Sequence, residues 1–292
     1  MMLTEFFASY PLALTLFTFI LGLLIGSFLN VVIYRYPKMM QEDWRTQCHE
    51  FLELPPADIH KRHFAVFNLA SPGSHCPHCN HAITAVENIP VLSFLIQGGK
   101  CRHCQAPISI RYPIIEMATA LLSTLVVAYT GFGWLALALL VFTWTLIVLT
   151  MIDFDHQLLP DDLTIPLLWL GLLVNSMGWL TDLESAVFGA IGGYITLWSV
   201  YWGFKLLTGR EGMGYGDFKL LAALGAWLGW QALPQVILLS SFVGAIIGIS
   251  LIVVRGQDRN IPIPFGPYLA SAGFIALLWG EQLTDLFVAI VA

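Results

Sequence analysis

Two short runs rich in carboxylates break an otherwise apolar chain. The first is Met151-Ile-Asp153-Phe-Asp155-His-Gln-Leu-Leu-Pro160-Asp161-Asp162, and the second is Gly212-Met-Gly214-Tyr-Gly216-Asp217-Phe-Lys219. Ionisable groups at membrane depth are costly, so each marks a candidate functional site. Two carboxyl groups held together cannot both ionise; one acts as a base that activates water while the other donates a proton to a carbonyl oxygen. Such a pair titrates as a unit and suits peptide hydrolysis. Glycines beside Asp217 let an extended substrate backbone come close to the acid.

Competing explanations differ from residue to residue. Asp161 or Asp162, after Pro160, is well placed to cap a helix. Asp155 either pairs with Lys219 or lines water. Asp217 has an N-terminal cap as its alternative, and Glu116 has a hydrogen bond to a neighbouring helix. Asp153, directly after an apolar run, is the hardest to explain structurally.

A second constellation is Cys76-Pro-His-Cys79 and Cys101-Arg-His-Cys104. Two such turns, each presenting two thiolates, can close a tetrahedral four-thiolate site around one zinc ion per chain. The 21 residues between Cys79 and Cys101 slightly exceed the usual ribbon spacing. Disulfides are the alternative, but a cytoplasmic setting keeps thiols reduced. Catalytic zinc needs an open position and commonly uses His or carboxylate ligands. His75, His78, His81 and His103 therefore read as flanking groups, and Cys48 as an ordinary thiol in an acidic stretch that includes Asp58.

The elements that must position these groups are membrane helices. Of the 292 residues, 57% are hydrophobic and only 11% charged, with a mean hydropathy of +0.75, against about 25% charged residues in soluble domains. A span needs about 20 apolar residues, and this ruler predicts eight: 10–34, 112–131, 133–152, 163–181, 185–207, 218–231, 234–254 and 263–280. The first lacks a basic leader region and a small-residue cleavage site, so it is expected to be retained. The fold class is an all-α polytopic membrane protein with a small cytoplasmic insert. The expected divisions are 1–35 for the first helix, 36–111 for the insert with its zinc site, and 112–292 for seven further helices.

Charge supplies the orientation. All 13 basic residues fall in three loops: Arg35 to Arg111, including Lys61 and Arg62; Lys205, Arg210 and Lys219; and Arg255 with Arg259. Basic residues collect on the cytoplasmic side. Eight spans with both termini outside place every one there, and both acidic runs as well. Removing the sixth span would carry Arg255 and Arg259 across. The net charge of −6 and the absence of a basic stripe exclude a nucleic-acid partner.

Taken in order, Gly26-Ser-Phe-Leu-Asn-Val-Val-Ile-Tyr-Arg-Tyr-Pro37, the paired C-x-x-C turns, R-Y-P-x-x-E at 111–116, I-D-x-D-x-x-x-L-P-D at 152–161 and G-x-G-D at 214–217 resemble the type 4 prepilin peptidases over nearly the whole chain. These are membrane aspartic proteases of the GxGD type. The resemblance implies that Asp153 and Asp217 are catalytic; Gly214, Gly216, Asp155, Asp161, Lys219 and Glu116 are the candidate supporting residues. It implies prepilin and pseudopilin substrates of pilus and type II secretion systems, cut after a glycine at the cytoplasmic face of the bacterial inner membrane. It also implies N-methylation of the new terminus with S-adenosylmethionine as donor. No G-x-G-x-x-G follows a strand, so the methyl-donor site has no residue to name. The reading from another class is a multi-pass transporter with a proton-coupled carboxylate pair. Against it stand the missing internal repeat and the placement of both acids at one face.

Overall fold

The computed structural model describes residues 2–54, 67–255 and 263–291. Asp58, Lys61, Arg62 and Arg259 lie outside the described residues. The helices are α1 (Met2–Ser9), α2 (Pro11–Phe51), α3 (Leu92–Ile96), α4 (Arg111–Thr130), α5 (Trp134–His156), α6 (Asp161–Ser176), α7 (Leu183–Thr208), α8 (Tyr215–Leu228), α9 (Leu233–Arg255) and α10 (Gly266–Val291). Among the described residues no strand forms beyond two isolated bridges, His75 with Ala82 and Lys100 with Pro107.

Each of the eight expected spans is a helix. Five helical stretches, α2, α4, α5, α7 and Trp230–Val254, are long and apolar enough to cross a membrane. The chain is thus an all-α, multi-pass membrane protein. With 16 and 14 residues, α6 and α8 reach only about 24 and 21 Å, short of the ~30 Å hydrocarbon layer.

Several boundaries differ from expectation for one reason: apolarity reports where lipid ends, not where the hydrogen-bonded spiral ends. Helix α2 does not stop near residue 34 but continues through Pro37 to Phe51. Its 41 residues span about 60 Å, twice the hydrocarbon thickness, so the opening of the expected insert is a helical extension. Helix α5 likewise runs past its apolar stretch, taking Asp153 and Asp155 into its last turns. Helix α8 begins at Tyr215, which places Asp217 in its first turn.

The chain forms two compact units, Met1–Phe132 and Gly133–Ala292. In the first, α2 lies against α4 through Gly22 and Gly26. A Cβ there would come within 2.6 Å of Ala120 Cα and 2.7 Å of Glu116 Cα, respectively. This spacing of small residues lets backbones approach where lipid supplies no hydrophobic drive. In the second unit α8 is central: every residue from Leu220 to Trp227 is buried, with α6, α7 and α10 packed around it. A helix apolar on all sides belongs in such a position. Near its C-terminal end the Trp227 indole donates to the Leu167 carbonyl at 2.8 Å. The Asn175 amide donates to the carbonyls of Ala226 and Trp227 at 2.8 and 3.0 Å.

Candidate active site

Asp153 sits in the last turns of α5 with only 5% of its surface exposed. Its Oδ2 accepts a 3.0 Å hydrogen bond from the backbone N–H of Gly266, the first residue of α10. Asp217, 6% exposed, occupies the first turn of α8. Its Oδ2 accepts from the Gly214 N–H at 3.2 Å, so the capping interaction foreseen as an alternative is present. Capping uses only one oxygen. The other, Oδ1, is the one buried side-chain N or O atom among the described residues that has no hydrogen-bond partner. An orphaned buried oxygen is expensive and calls for an explanation.

Leu159 joins the two acids. A Cβ on Gly216 would come within 2.7 Å of Leu159 Cβ, and one on Gly266 within 3.1 Å of Leu159 Cδ2. The buried leucine is therefore flanked by the glycine preceding Asp217 and the glycine bonded to Asp153. The two carboxyl groups lie within electrostatic reach of one another. Both glycines are required by space. At Gly266 a Cβ would stand 2.6 Å from Asp153 Oδ2.

The flanking residues fasten this arrangement. Lys219 Nζ reaches both oxygens of Asp161 at 2.7 Å, strapping α8 to α6. Helix α6 begins at Asp161 itself, with Pro160 in extended conformation at the cap position and no side-chain cap. Asp161 and Asp162 instead occupy its first turn, where the helix dipole favours acids. Asp155 is exposed. The loop leading into Gly214 is held by Lys205, which donates to Glu211 at 2.8 Å and to the Tyr201 hydroxyl at 3.2 Å. The Lys205 ammonium keeps the Glu211 carboxyl below its ordinary range. Buried Tyr201 packs on Tyr215 and Phe218 with ring centroids 5.2 and 5.6 Å away.

Sequence reasoning did not single out Gly266, Leu159, Tyr201 or Lys205. Gly266-Pro267 did carry a signal: proline favours the first turn of a helix. That a helix began there did not say what its first N–H would meet.

In the first unit Glu116 is also buried, at 8% exposure, but it is employed. It accepts a 2.7 Å bond from the Val91 N–H and interacts with the Ser27 side chain. Its partners thus lie on α2 and on the segment leading into α3. Nearby, the Asn30 amide donates to the carbonyls of Gly26 and Tyr112, both at 3.2 Å. The buried Arg35 donates to the Asn68 carbonyl at 2.9 Å.

The four cysteines form a separate cluster. Their sulfurs all lie within 4.8 Å of one another, and Cys76 Sγ is 3.8 Å from Cys104 Sγ. A tetrahedron with metal–sulfur bonds of about 2.3 Å has edges of about 3.8 Å, so the donor set fits a metal ion. The two turns repeat each other. Cys76 N–H donates to the His81 carbonyl at 2.9 Å and Cys101 N–H to the Ala106 carbonyl at 2.8 Å. Asn80 and Gln105, each following the second cysteine of its turn, have φ of 56° and 59°. Backbone N–H groups of Cys79 and His78 lower the Cys76 thiol to about 7, and those of Cys104 and His103 lower Cys101. Cys79, although the His81 N–H favours its thiolate, is pushed up to about 12 by burial and the neighbouring sulfurs. All five cysteines are free thiols, and His81 stacks on His103 at 5.3 Å beside the cluster.

The fold and these constellations define a class: a multi-pass helical membrane protein with a paired-acid site in one unit and a four-thiolate cluster in the other. Residues 20–130 match the bacterial peptidase A24 N-terminal domain, and residues 140–249 match the type IV leader peptidase family. The chain belongs to the type IV leader peptidase family. It is 59% identical over 282 residues to a protein of Stutzerimonas stutzeri, covering 96% of each chain. It is 56% identical over 287 residues to one of Pseudomonas aeruginosa, covering 98% of each, and 58% over 266 residues to one of Aeromonas hydrophila, covering 91% of each. Each of these relatives is named prepilin leader peptidase/N-methyltransferase. No solved structure matches the chain.

Proposed function

We propose that this protein is a membrane aspartic endopeptidase that cleaves the basic leader of type 4 prepilins and pseudopilins after a glycine. It then N-methylates the new terminal residue with S-adenosylmethionine as donor. Family membership and full-length similarity support both activities. The observation that carries the peptidase assignment is the pair of buried carboxyl groups, from remote motifs, converging around Leu159 with Asp217 Oδ1 unbonded.

In this mechanism one carboxylate takes a proton from water as the water oxygen bonds to the scissile carbonyl carbon, while the other carboxyl group protonates the carbonyl oxygen. The tetrahedral intermediate then collapses, the C–N bond breaks and the leaving amine takes a proton from the pair. The unpartnered Oδ1 of Asp217 is the oxygen left to bond water or substrate. Gly214 and Gly266 each hold the remaining oxygen of one acid by a backbone N–H, fixing the carboxyl planes. No side chain is assigned to methyl transfer.

We take Cys76, Cys79, Cys101 and Cys104 to hold one zinc ion per chain. Bound zinc would act as a cross-link between the two turns, since four thiolates leave no position for water. We place the protein in the bacterial inner membrane with both termini periplasmic and the acids at the cytoplasmic face. Alternating spans from that start bring the end of α5 and the beginnings of α8 and α10 to one side, and the Asp153–Gly266 bond is consistent with that placement. Segment 36–111 then serves as the cytoplasmic part and the helices from 112 onward as the membrane part.

The test is incubation with a basic-leader prepilin and a labelled methyl donor, reading cleavage and methylation separately. Asp153→Asn and Asp217→Asn should each abolish cleavage while the protein remains inserted and folded. Retained cleavage in either variant refutes the assignment.

A further inference from the structure

An apolar surface in the first unit takes no part in this chemistry. Helix α3 exposes Leu92, Leu95 and Ile96 at 50, 67 and 76%. Leu92 and Ile96 border a shallow groove of about 360 Å³ that Lys100 and Arg102 also line. The acid in that groove, Glu87, is turned inward, bonded by the Thr84 N–H and hydroxyl at 3.0 and 2.8 Å. Its side chain is 8% exposed, so the exposed charge of the groove is positive.

Two contacts and a glycine turn fix the inner side of α3 and leave its outer side bare. Val91, which leads into the helix, has φ 59° and ψ −48°, a backbone conformation that β-branched residues rarely adopt. Its N–H is held by Glu116 Oε2 at 2.7 Å. Phe94 packs against Gly99, where a Cβ would come within 3.1 Å of the ring. Gly98 and Gly99, with φ of 61° and 69°, turn the chain back to Lys100. Glu116 lies five residues into α4, about 7.5 Å along its axis from Arg111, and α4 is one of the helices that can cross a membrane. The bond from Val91 therefore sets α3 at the depth where α4 enters the bilayer.

We propose that α3 is a membrane-interface anchor. Leu92, Leu95 and Ile96 insert at the boundary of acyl chains and headgroups, and Lys100 and Arg102 contact anionic phospholipid headgroups. Apolar insertion beside basic side chains is the pattern of segments that lie in the interface, and a protein partner would not require the surface to sit at the depth of a spanning helix. The anchor holds the four-thiolate segment against the bilayer whether or not the acids act as proposed.

Benzoylphenylalanine placed at Ile96 in the full chain, reconstituted in vesicles of phosphatidylglycerol and phosphatidylethanolamine, provides the test. Illumination should give lipid adducts, whereas the same probe at the exposed Gln47, far along the extension of α2, should give few. With the Ile96 probe in place, K100E/R102E should lower adduct yield by up to about fivefold per charge in these vesicles, and leave it unchanged in neutral phosphatidylcholine. The probe at Leu95 repeats the measurement if the Ile96 variant does not accumulate. Absence of lipid adducts at both positions, equal yields at Gln47, or adducts with an added prepilin in place of lipid would overturn the proposal.

Discussion

The cysteine cluster and the acid pair both join side chains from two separated motifs, yet they differ in closure. Each cysteine turn folds on itself through its own backbone bonds, and the four sulfurs lie within 4.8 Å of one another. The acids are brought together by helix ends, and the pair leaves one buried oxygen unbonded. Glu116 resembles the acids in burial and the cysteines in closure, since its carboxylate already receives the Val91 N–H. Burial alone therefore does not distinguish a reactive acid from a structural one; among the described residues, Asp217 stands apart by its buried oxygen without a partner.

The sharpest way to break this comparison is to neutralise each acid in turn. Asp217→Asn should lower prepilin cleavage at least about 10³-fold, the scale of a lost acid–base group, while Glu116→Gln keeps cleavage within about tenfold because the amide oxygen still accepts from Val91. Equal losses would remove the distinction between them. Gly266→Ala comes next. Its Cβ would stand 2.6 Å from Asp153 Oδ2, so the carboxyl group must move. A displacement of this kind should cost about 10²-fold in turnover, measured with KM and kcat resolved.

Closure of the cysteine cluster predicts a different signature. Cys101→Ser should lose the bound metal, read by elemental analysis, and should sensitise segment 67–110 to limited proteolysis. The effect falls on folding because metal binding and folding of such turns are coupled. Metal retained at one ion per chain in this variant would show that the four sulfurs are not the ligands.

The smallest effect concerns the loop that enters Gly214. Glu211 is held below its usual carboxylate value by Lys205. Its stabilising contribution is therefore complete above the ordinary value of 4.5 and fades as pH falls through the lower folded value. Glu211→Gln should leave proteolytic protection of the loop less dependent on pH as it falls below 4.5, where the native loop loosens. Protection that falls equally in both proteins would assign the change to other carboxylates.

Much of this was legible in the order of residues. The eight helical stretches follow from runs of apolar residues, and the four-thiolate cluster from two C-x-x-C turns, because a turn of four residues contains its own geometry. The likeness of Asp153 and Asp217 to a known pair of motifs was likewise visible. What could not be read was which neighbour each acid would find. The expected link from Asp155 to Lys219 gave no sign of the Asp161 contact that is made, and nothing around Gly266 marked it as the donor to Asp153. Nor did apolarity disclose that α2 continues for a further sixteen or so residues beyond its lipid-facing run, since the polar turns of an α-helix keep the same backbone bonds.

Sequence by itself determined where lipid-compatible helices lie and which segments can bind a metal locally. These are properties of neighbouring residues, and the bilayer or the turn imposes them directly. Tertiary structure alone decided that the ends of α5, α8 and α10 share one small space around Leu159, and that Asp217 retains a free oxygen there. Those facts depend on how glycine-lined helices close against each other across long separations in the chain, and no local pattern encodes the distances that result.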